Sequence, residues 1–143
     1  MIYRTVPFQR WHGYRLRDNG LAEEGVFLDG PTLMQLERGN SWTAIYGAEP
    51  IAAAGVLEAW RGRCAAWAYM SRDAGPHMLY ITKAVKKFLN ETSRGRIELT
   101  VRTDYELGHR WARMLGFAVE NSPGRLLRYG PDGADHTSYV MFN

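Results

Sequence analysis

Between Ser41 and Met70 the chain runs through three strand-like stretches with almost nothing between them. Ser41-Trp42-Thr43-Ala44-Ile45-Tyr46, Ile51 to Trp60 and Cys64 to Met70 are separated only by Gly47-Ala48-Glu49-Pro50 and by Arg61-Gly62-Arg63. Links that short join antiparallel neighbours and are too brief for a crossover, so an antiparallel meander is fixed at the centre of the chain. The next segment changes character. A breaker, Ser71 to Pro76, is followed by Met78, Ile81, Val85, Phe88 and Leu89 on one helical face and Lys83, Lys86, Lys87 and Asn90 on the other, which predicts a helix from His77 to Asn90. Arg96-Ile97-Glu98-Leu99-Thr100-Val101 then alternates with Ile97, Leu99 and Val101 on one side, as a strand does. A strand, a helix and a strand in succession give parallel neighbours joined by a right-handed crossover. The stretches Cys64 to Met70 and Arg96 to Val101 are therefore expected side by side and parallel.

The flanks read less sharply. Ile2 to Val6 is a short strand stopped by Pro7, and Phe8 to Leu21 carries a weak helical pattern ending near Gly20. Pro31 opens a second short helix that runs through Leu33, Met34 and Leu36 and closes at Gly39. Glu106 to Leu115 is helical, with Gly116 in the C-cap place. Phe117 to Glu120, Leu126 to Tyr129 and Tyr139 to Phe142 are final short strands, separated by turns at Pro123-Gly124 and Pro131-Asp132-Gly133. The class is α/β with a mixed sheet.

Composition narrows the function. With 143 residues, 45% hydrophobic and 23% charged, the chain suits a single domain, residues 1–143, with a buried core. A net charge of +3 lacks the concentration of basic residues that a dedicated nucleic-acid binder carries. The only cysteine is Cys64, which excludes an intramolecular disulfide, and no Cys/His set has zinc-site spacing, so no metal is expected. No apolar run approaches the ~20 residues of a membrane span, and the N-terminus passes straight into patterned sequence. A cytoplasmic protein is expected. Ser/His/Asp orders, paired carboxylates and P-loops are absent, which removes hydrolase and nucleotidase readings.

Two segments carry a resemblance to a known superfamily. Arg72-Asp73-Ala74-Gly75-Pro76-His77 sits between strand and helix, and Leu99-Thr100-Val101 is followed by Tyr105, Gly108, Ala112 and Gly116-Phe117 at fixed offsets. Together with the order of elements, these make the chain similar to the GNAT superfamily of acetyl-CoA-dependent N-acetyltransferases. The resemblance implies a GNAT-like mixed sheet with an antiparallel meander, flanking helices and a V-shaped splay between two central parallel strands. The first segment is half of the superfamily's [Gln/Arg]-x-x-Gly-x-[Gly/Ala] loop, with Arg72 and Gly75 kept, Pro76 removing an amide donor and His77 replacing the last glycine. The second keeps the register while placing Ala112 where many members have a tyrosine that protonates the coenzyme A thiolate. A narrower likeness, carried by Leu16-Arg17, Leu21-Ala22-Glu23, Ser41 to Ala44, Pro50 to Val56, Trp60 to Trp67 and His109 to Phe117, is to GNAT-like proteins of tailed bacteriophages, some of them internal virion proteins.

The resemblance also implies where chemistry would sit. Acetyl-CoA would lie against Tyr69, Met70, Ser71, Arg72, Gly75 and His77, with strand-edge groups bonding the pantetheine arm and loop amides meeting the pyrophosphate at a helix N-terminus. Glu58, the one carboxylate inside the meander, is the candidate base, and Tyr105 the candidate acid in place of the missing tyrosine. His77 and His109 are further proton carriers. Each has a plainer reading: Glu58 as a partner of Arg61 or Arg63, Tyr105 as packing at a strand-helix junction, Arg72 and Gly75 as an ordinary loop, Trp67 and Trp111 as core. Lys83, Lys86 and Lys87 either meet the cofactor's 3′-phosphate or form a solvated face. Two functions follow, an acetyltransferase acting on an amine of a host or phage protein, or a GNAT-fold phage protein without catalysis that acts in the virion or binds a host partner.

Overall fold

In the computed structural model, which describes residues 1–92 and 95–143, the meander forms as its short links require. The elements in chain order are β1 (Tyr3–Pro7), α1 (Arg10–Asn19), α2 (Gly30–Arg38), β2 (Asn40–Tyr46), β3 (Glu49–Trp60), β4 (Arg63–Met70), α3 (Met78–Glu91), β5 (Arg96–Arg102), α4 (Glu106–Leu115), β6 (Ala118–Val119), β7 (Arg125–Leu126) and β8 (His136–Phe142). One 8-stranded sheet holds them in the order β1-β2-β3-β4-β5-β8-β6, with β7 also paired to β8. All pairings are antiparallel except β4 with β5. The mixed α/β sheet expected from the sequence is the one observed.

The sheet separates two apolar layers, because successive side chains of a strand point to opposite faces. Ala52, Ala54 and Val56 of β3 join Ile81, Val85 and Leu89 of α3 and Ala112 and Leu115 of α4 in the main core. Ala53 turns the other way, toward Leu16 of α1, Leu33 and Leu36 of α2 and Phe8. Burying each large aliphatic side chain contributes about 1.5–3 kcal/mol. The small residues of β3 let both layers approach the sheet closely. Gly55 is the extreme case: a Cβ there would stand 2.6 Å from the Asn40 carbonyl oxygen and 2.7 Å from Ser41 Cβ.

Several boundaries depart from the sequence reading for local reasons. Pro7 is within β1, paired to Trp42, because an edge strand has a side on which a missing N–H costs nothing. Pro50 likewise enters β3 opposite Ile45, where the register shifts between Ala44 and Ile45. The helix expected from His77 begins at Met78, after a 3₁₀ turn over Gly75–His77 that contains Pro76. The final strand is longer than Tyr139 to Phe142: β8 starts at His136 and pairs along the whole of β5, whereas β6 and β7 are two residues each. Tyr139, fully buried, anchors it by a 2.8 Å bond between its hydroxyl and His109 Nδ1, while His109 Nε2 donates to the Thr103 carbonyl at 2.9 Å.

β4 and β5 pair only through Arg63/Arg96, Cys64/Ile97 and Ala65/Glu98. Beyond that point they separate, which is the expected V. Its closed end carries an ion-pair ladder: Arg63 Nη2 to Glu98 Oε1 at 2.6 Å, Arg96 Nε to Glu98 Oε2 at 2.7 Å, and Arg96 Nη1 to Glu120 Oε2 at 2.5 Å. The guanidiniums hold the Glu98 and Glu120 carboxyls below the usual carboxylate range, chiefly through hydrogen bonds from Arg63 and Arg96 respectively.

Two outcomes follow. Gly55→Ala forces its new methyl group into backbone atoms and lowers the urea-unfolding free energy by about 1–3 kcal/mol, the usual cost of overpacking. Because the folded-state pKa values of Glu98 and Glu120 are depressed, their stabilisation is complete above the unfolded value near 4.3 and disappears as pH falls through the folded values. The wild type therefore loses stability more steeply than Arg96→Gln below about pH 4.3, as read from urea midpoints across an acid series.

Candidate functional site

Where β4 and β5 part, a cavity of about 510 Å³ opens between them and runs back between α3 and α4. Its walls are mainly apolar, with Ala66, Ala68 and Met70 from β4, Leu99 and Val101 from β5, Met78 and Val85 from α3, and Trp111 and Leu115 from α4. Trp111 Nε1 donates to Thr82 Oγ1 at 2.9 Å and ties the two helices across it. One edge of the cavity is backbone. Ser71 N donates to Ile51 O on the β3 side, and Met70 O accepts from Ala22 N on the other. By strand alternation the C=O of Ala66 and the N–H and C=O of Ala68 face the cavity as well, beyond the last β5 pair.

The mouth is built from an unexpected direction. The segment after α1 returns to the end of β4, where Leu21 bridges Ser71, Ala22 N donates to Met70 O at 3.0 Å and Arg72 N donates to Gly20 O at 3.0 Å. This places Glu23 in the cavity wall beside Tyr69 and Tyr105. Glu23 is the only carboxylate among the described lining residues. Burial pushes its carboxyl up, and the Arg102 backbone N–H and guanidinium only partly oppose that. Burial, then the Glu23 charge, pushes both tyrosine hydroxyls above their ordinary value and keeps them protonated. Arg102 carries the loop of residues 20–29 onward to the other rim, bonding the Glu24 carbonyl, Asp104 and Asp132.

Of the residues picked from sequence, Tyr69, Met70, Ser71, Arg72, Gly75 and Tyr105 line this cavity. His77 does not. Its Nδ1 lies 2.6 Å from Tyr3 Oη, its ring packs on Tyr46, and its N–H donates to Ala74 O, so the β1 and β2 edge claims it. Glu58 does not either: it is exposed and paired opposite Cys64, at the closed end of the V, because β3 runs antiparallel to β4 and its C-terminal end lies farthest from the mouth. His109 is fixed between Tyr139 and Thr103, with both ring nitrogens engaged. Lys83, Lys86 and Lys87 are exposed on α3, outside the lining. Trp67 and Trp111 are half-buried and both line the cavity, and the Trp67 indole N–H is buried without a hydrogen-bond partner among the described residues. Glu23 is the residue that sequence reading missed as a site residue. Its placement depends on a bridge between residues fifty apart, for which no local pattern gives a signal.

The loop before α3 is largely self-satisfied. Arg72, Asp73, Ala74 and His77 donate their N–H groups to Gly20 O, Ser71 Oγ, Ser71 O and Ala74 O, and Pro76 has none, which leaves Gly75. No group of three or more His, Cys, Asp or Glu among the described residues is arranged to hold a metal ion. No helix among them is long and apolar enough to cross a membrane.

A mixed sheet opened between two parallel central strands, with a helix crossing from one to the other, defines the GNAT acetyltransferase fold, and solved structures bear this out. The chain superposes on Ard1 from Thermoplasma volcanium with a TM-score of 0.78 at 13% identity, covering 99% of this chain and 98% of that one. For a GNAT-family acetyltransferase from Streptococcus pneumoniae the TM-score is 0.70 at 13% identity, over 99% and 100% of the two chains. For YncA from Salmonella typhimurium, solved with its cofactor acetyl-CoA, it is 0.68 at 10% identity, over 98% and 93%. No protein-family model and no curated protein matches the sequence.

The charge coupling at the mouth is measurable. Glu23→Gln removes one of the causes that raise Tyr69 and Tyr105, so both tyrosines titrate at lower pH in the variant while remaining above about 10, since burial persists. Tyrosine ¹³Cζ shifts followed through an alkaline titration report this directly, and unchanged titration of both would place Glu23 outside the cavity.

Proposed function

We propose that the chain, as one domain over residues 1–143, is an acetyl-CoA-dependent N-acetyltransferase acting on an amine. One observation carries the reading: the separation of β4 from β5 beyond Ala65 and Glu98 leaves an apolar cavity whose wall carries the Ala66 carbonyl and the Ala68 N–H and carbonyl beyond the last β5 pair. Such an edge suits the alternating amides of a pantetheine arm, and the apolar walls suit its methylene and methyl groups. Acetyl-CoA fits the cavity well and the phosphate loop less well, since most loop amides already donate within the protein. When bound, acetyl-CoA supplies an activated thioester.

The residues of the cavity then have distinct work. Ala66 and Ala68 orient the arm through backbone hydrogen bonds, Gly75 N–H and the first turn of α3 meet the pyrophosphate, and Arg72 lies at the same rim. Tyr105, protonated and half-buried at the start of α4, would supply the proton for the departing sulfur that Ala112 cannot. The phage-like segments support an acceptor on a host or virion protein and action in the host cytoplasm. The inward-turned loop amides and Pro76 favour a second reading, a GNAT-fold protein that has given up catalysis and binds a partner.

Titration calorimetry separates the two. Acetyl-CoA binds weakly, and Pro76→Ala tightens it by up to about tenfold, the worth of roughly 1.4 kcal/mol for one restored amide donor. No heat at millimolar acetyl-CoA with either protein rejects the acetyltransferase reading in favour of the second one.

A further inference from the structure

We infer that Arg110 on α4 holds the 3′-phosphate at the nucleotide end of the acyl donor, a task that the loop before α3 and the α3 lysines leave undone. This rests on the acetyltransferase reading and adds the residue by which the chain tells a 3′-phosphorylated nucleotide thioester from one without that phosphate. Three features of the cavity rim converge on it. Arg72 and Arg110 are the only cations among the described lining residues, and neither guanidinium has an ion pair or a hydrogen bond among the described residues. The arginines of β4 and β5 differ: Arg63, Arg96 and Arg102 are each paired with a carboxylate. Glu106, one turn before Arg110, makes no ion pair with it, so the guanidinium stands ready for an anion from outside.

The second feature is what flanks the arginine. Leu107 and Met114 lie one turn to either side of it on the same helical face, are 64% and 60% exposed, and line the cavity with it. Two large apolar side chains left in solvent around an unpaired guanidinium suit a flat heteroaromatic ring and the anion beside it. Trp111, the next residue, is tied to Thr82 of α3, which holds this stretch of α4 opposite the start of α3.

The third feature is the shortage of other donors. In the loop before α3 only the Gly75 N–H is left over, which is too little for a pyrophosphate and a further phosphate together. Lys83, Lys86 and Lys87 are exposed on α3 but outside the cavity lining. A guanidinium presents its N–H groups as a planar fork that meets two phosphate oxygens at once and stays charged at every working pH.

Titration calorimetry on the whole chain tests this with three donors: acetyl-CoA, acetyl-dephospho-CoA, which lacks only the 3′-phosphate, and S-acetylpantetheine. The wild type binds acetyl-CoA about tenfold more tightly than acetyl-dephospho-CoA at low salt, and the preference shrinks as salt is raised. Arg110→Gln loses the preference and binds acetyl-dephospho-CoA as the wild type does. Arg110→Lys, a cation without the fork, keeps part of it, and Lys86→Gln keeps all of it. Arg110→Gln melts with the wild type, since it removes an exposed side chain with no partner in the protein. A wild type that binds none of the three donors overturns the underlying acetyltransferase reading. A wild type that binds acetyl-CoA and acetyl-dephospho-CoA equally, a preference that survives in Arg110→Gln, or one that is lost in Lys86→Gln overturns the assignment of Arg110.

Discussion

Three residue pairs hold β4 to β5, and the rest of the molecule is arranged around their ending. Had the parallel pairing continued to Met70, the Ala66 carbonyl and both Ala68 backbone groups would be spent on the sheet and the space between α3 and α4 would close. Past the third pair each strand keeps its own outer neighbour. β5 is held along its full length by β8, from Arg96/Phe142 to Arg102/His136, while β4 is held by β3 from Trp60/Arg63 to Ala52/Met70. Each half of the sheet follows its own twist, and the ladder of Arg63, Glu98, Arg96 and Glu120 fastens the halves where they still touch.

Much of this architecture is legible in the sequence because it is local. The meander follows from links too short for anything else, α3 from the spacing of Ile81, Val85 and Leu89, and the C-cap of α4 from Gly116, whose φ of 104° is open to glycine at little cost. The long β8 is not legible, because its first residues, His136-Thr137-Ser138, look like a polar turn and become strand only by pairing with Arg102, Val101 and Thr100. Tertiary pairing overrides propensity there.

The site divides along the same line. Residues next to the β4 to α3 break, Tyr69 to Gly75, lie in the cavity because any residue there must, given the fold. Alternation and helix position point to Glu58 and His77. Their actual places depend on which end of β3 meets the opening and on an aromatic cluster of Tyr3, Tyr46 and Tyr80 supplied from other parts of the chain. Glu23 shows the converse, a residue in an irregular stretch with no periodic signal that long-range hydrogen bonds carry to the mouth of the cavity.

Those hydrogen bonds have a mechanical consequence. Gly20, Leu21 and Ala22 are bonded to Arg72, Ser71 and Met70, so the segment leading to Glu23 and the loop leading to α3 form a single two-stranded ribbon rather than two independent flaps. A displacement of either strand of such a ribbon is transmitted to the other within a hydrogen-bond length. Whatever seats against the start of α3 thereby also sets the position of the carboxylate across the opening, and the two halves of the cleft come into register as one rigid part.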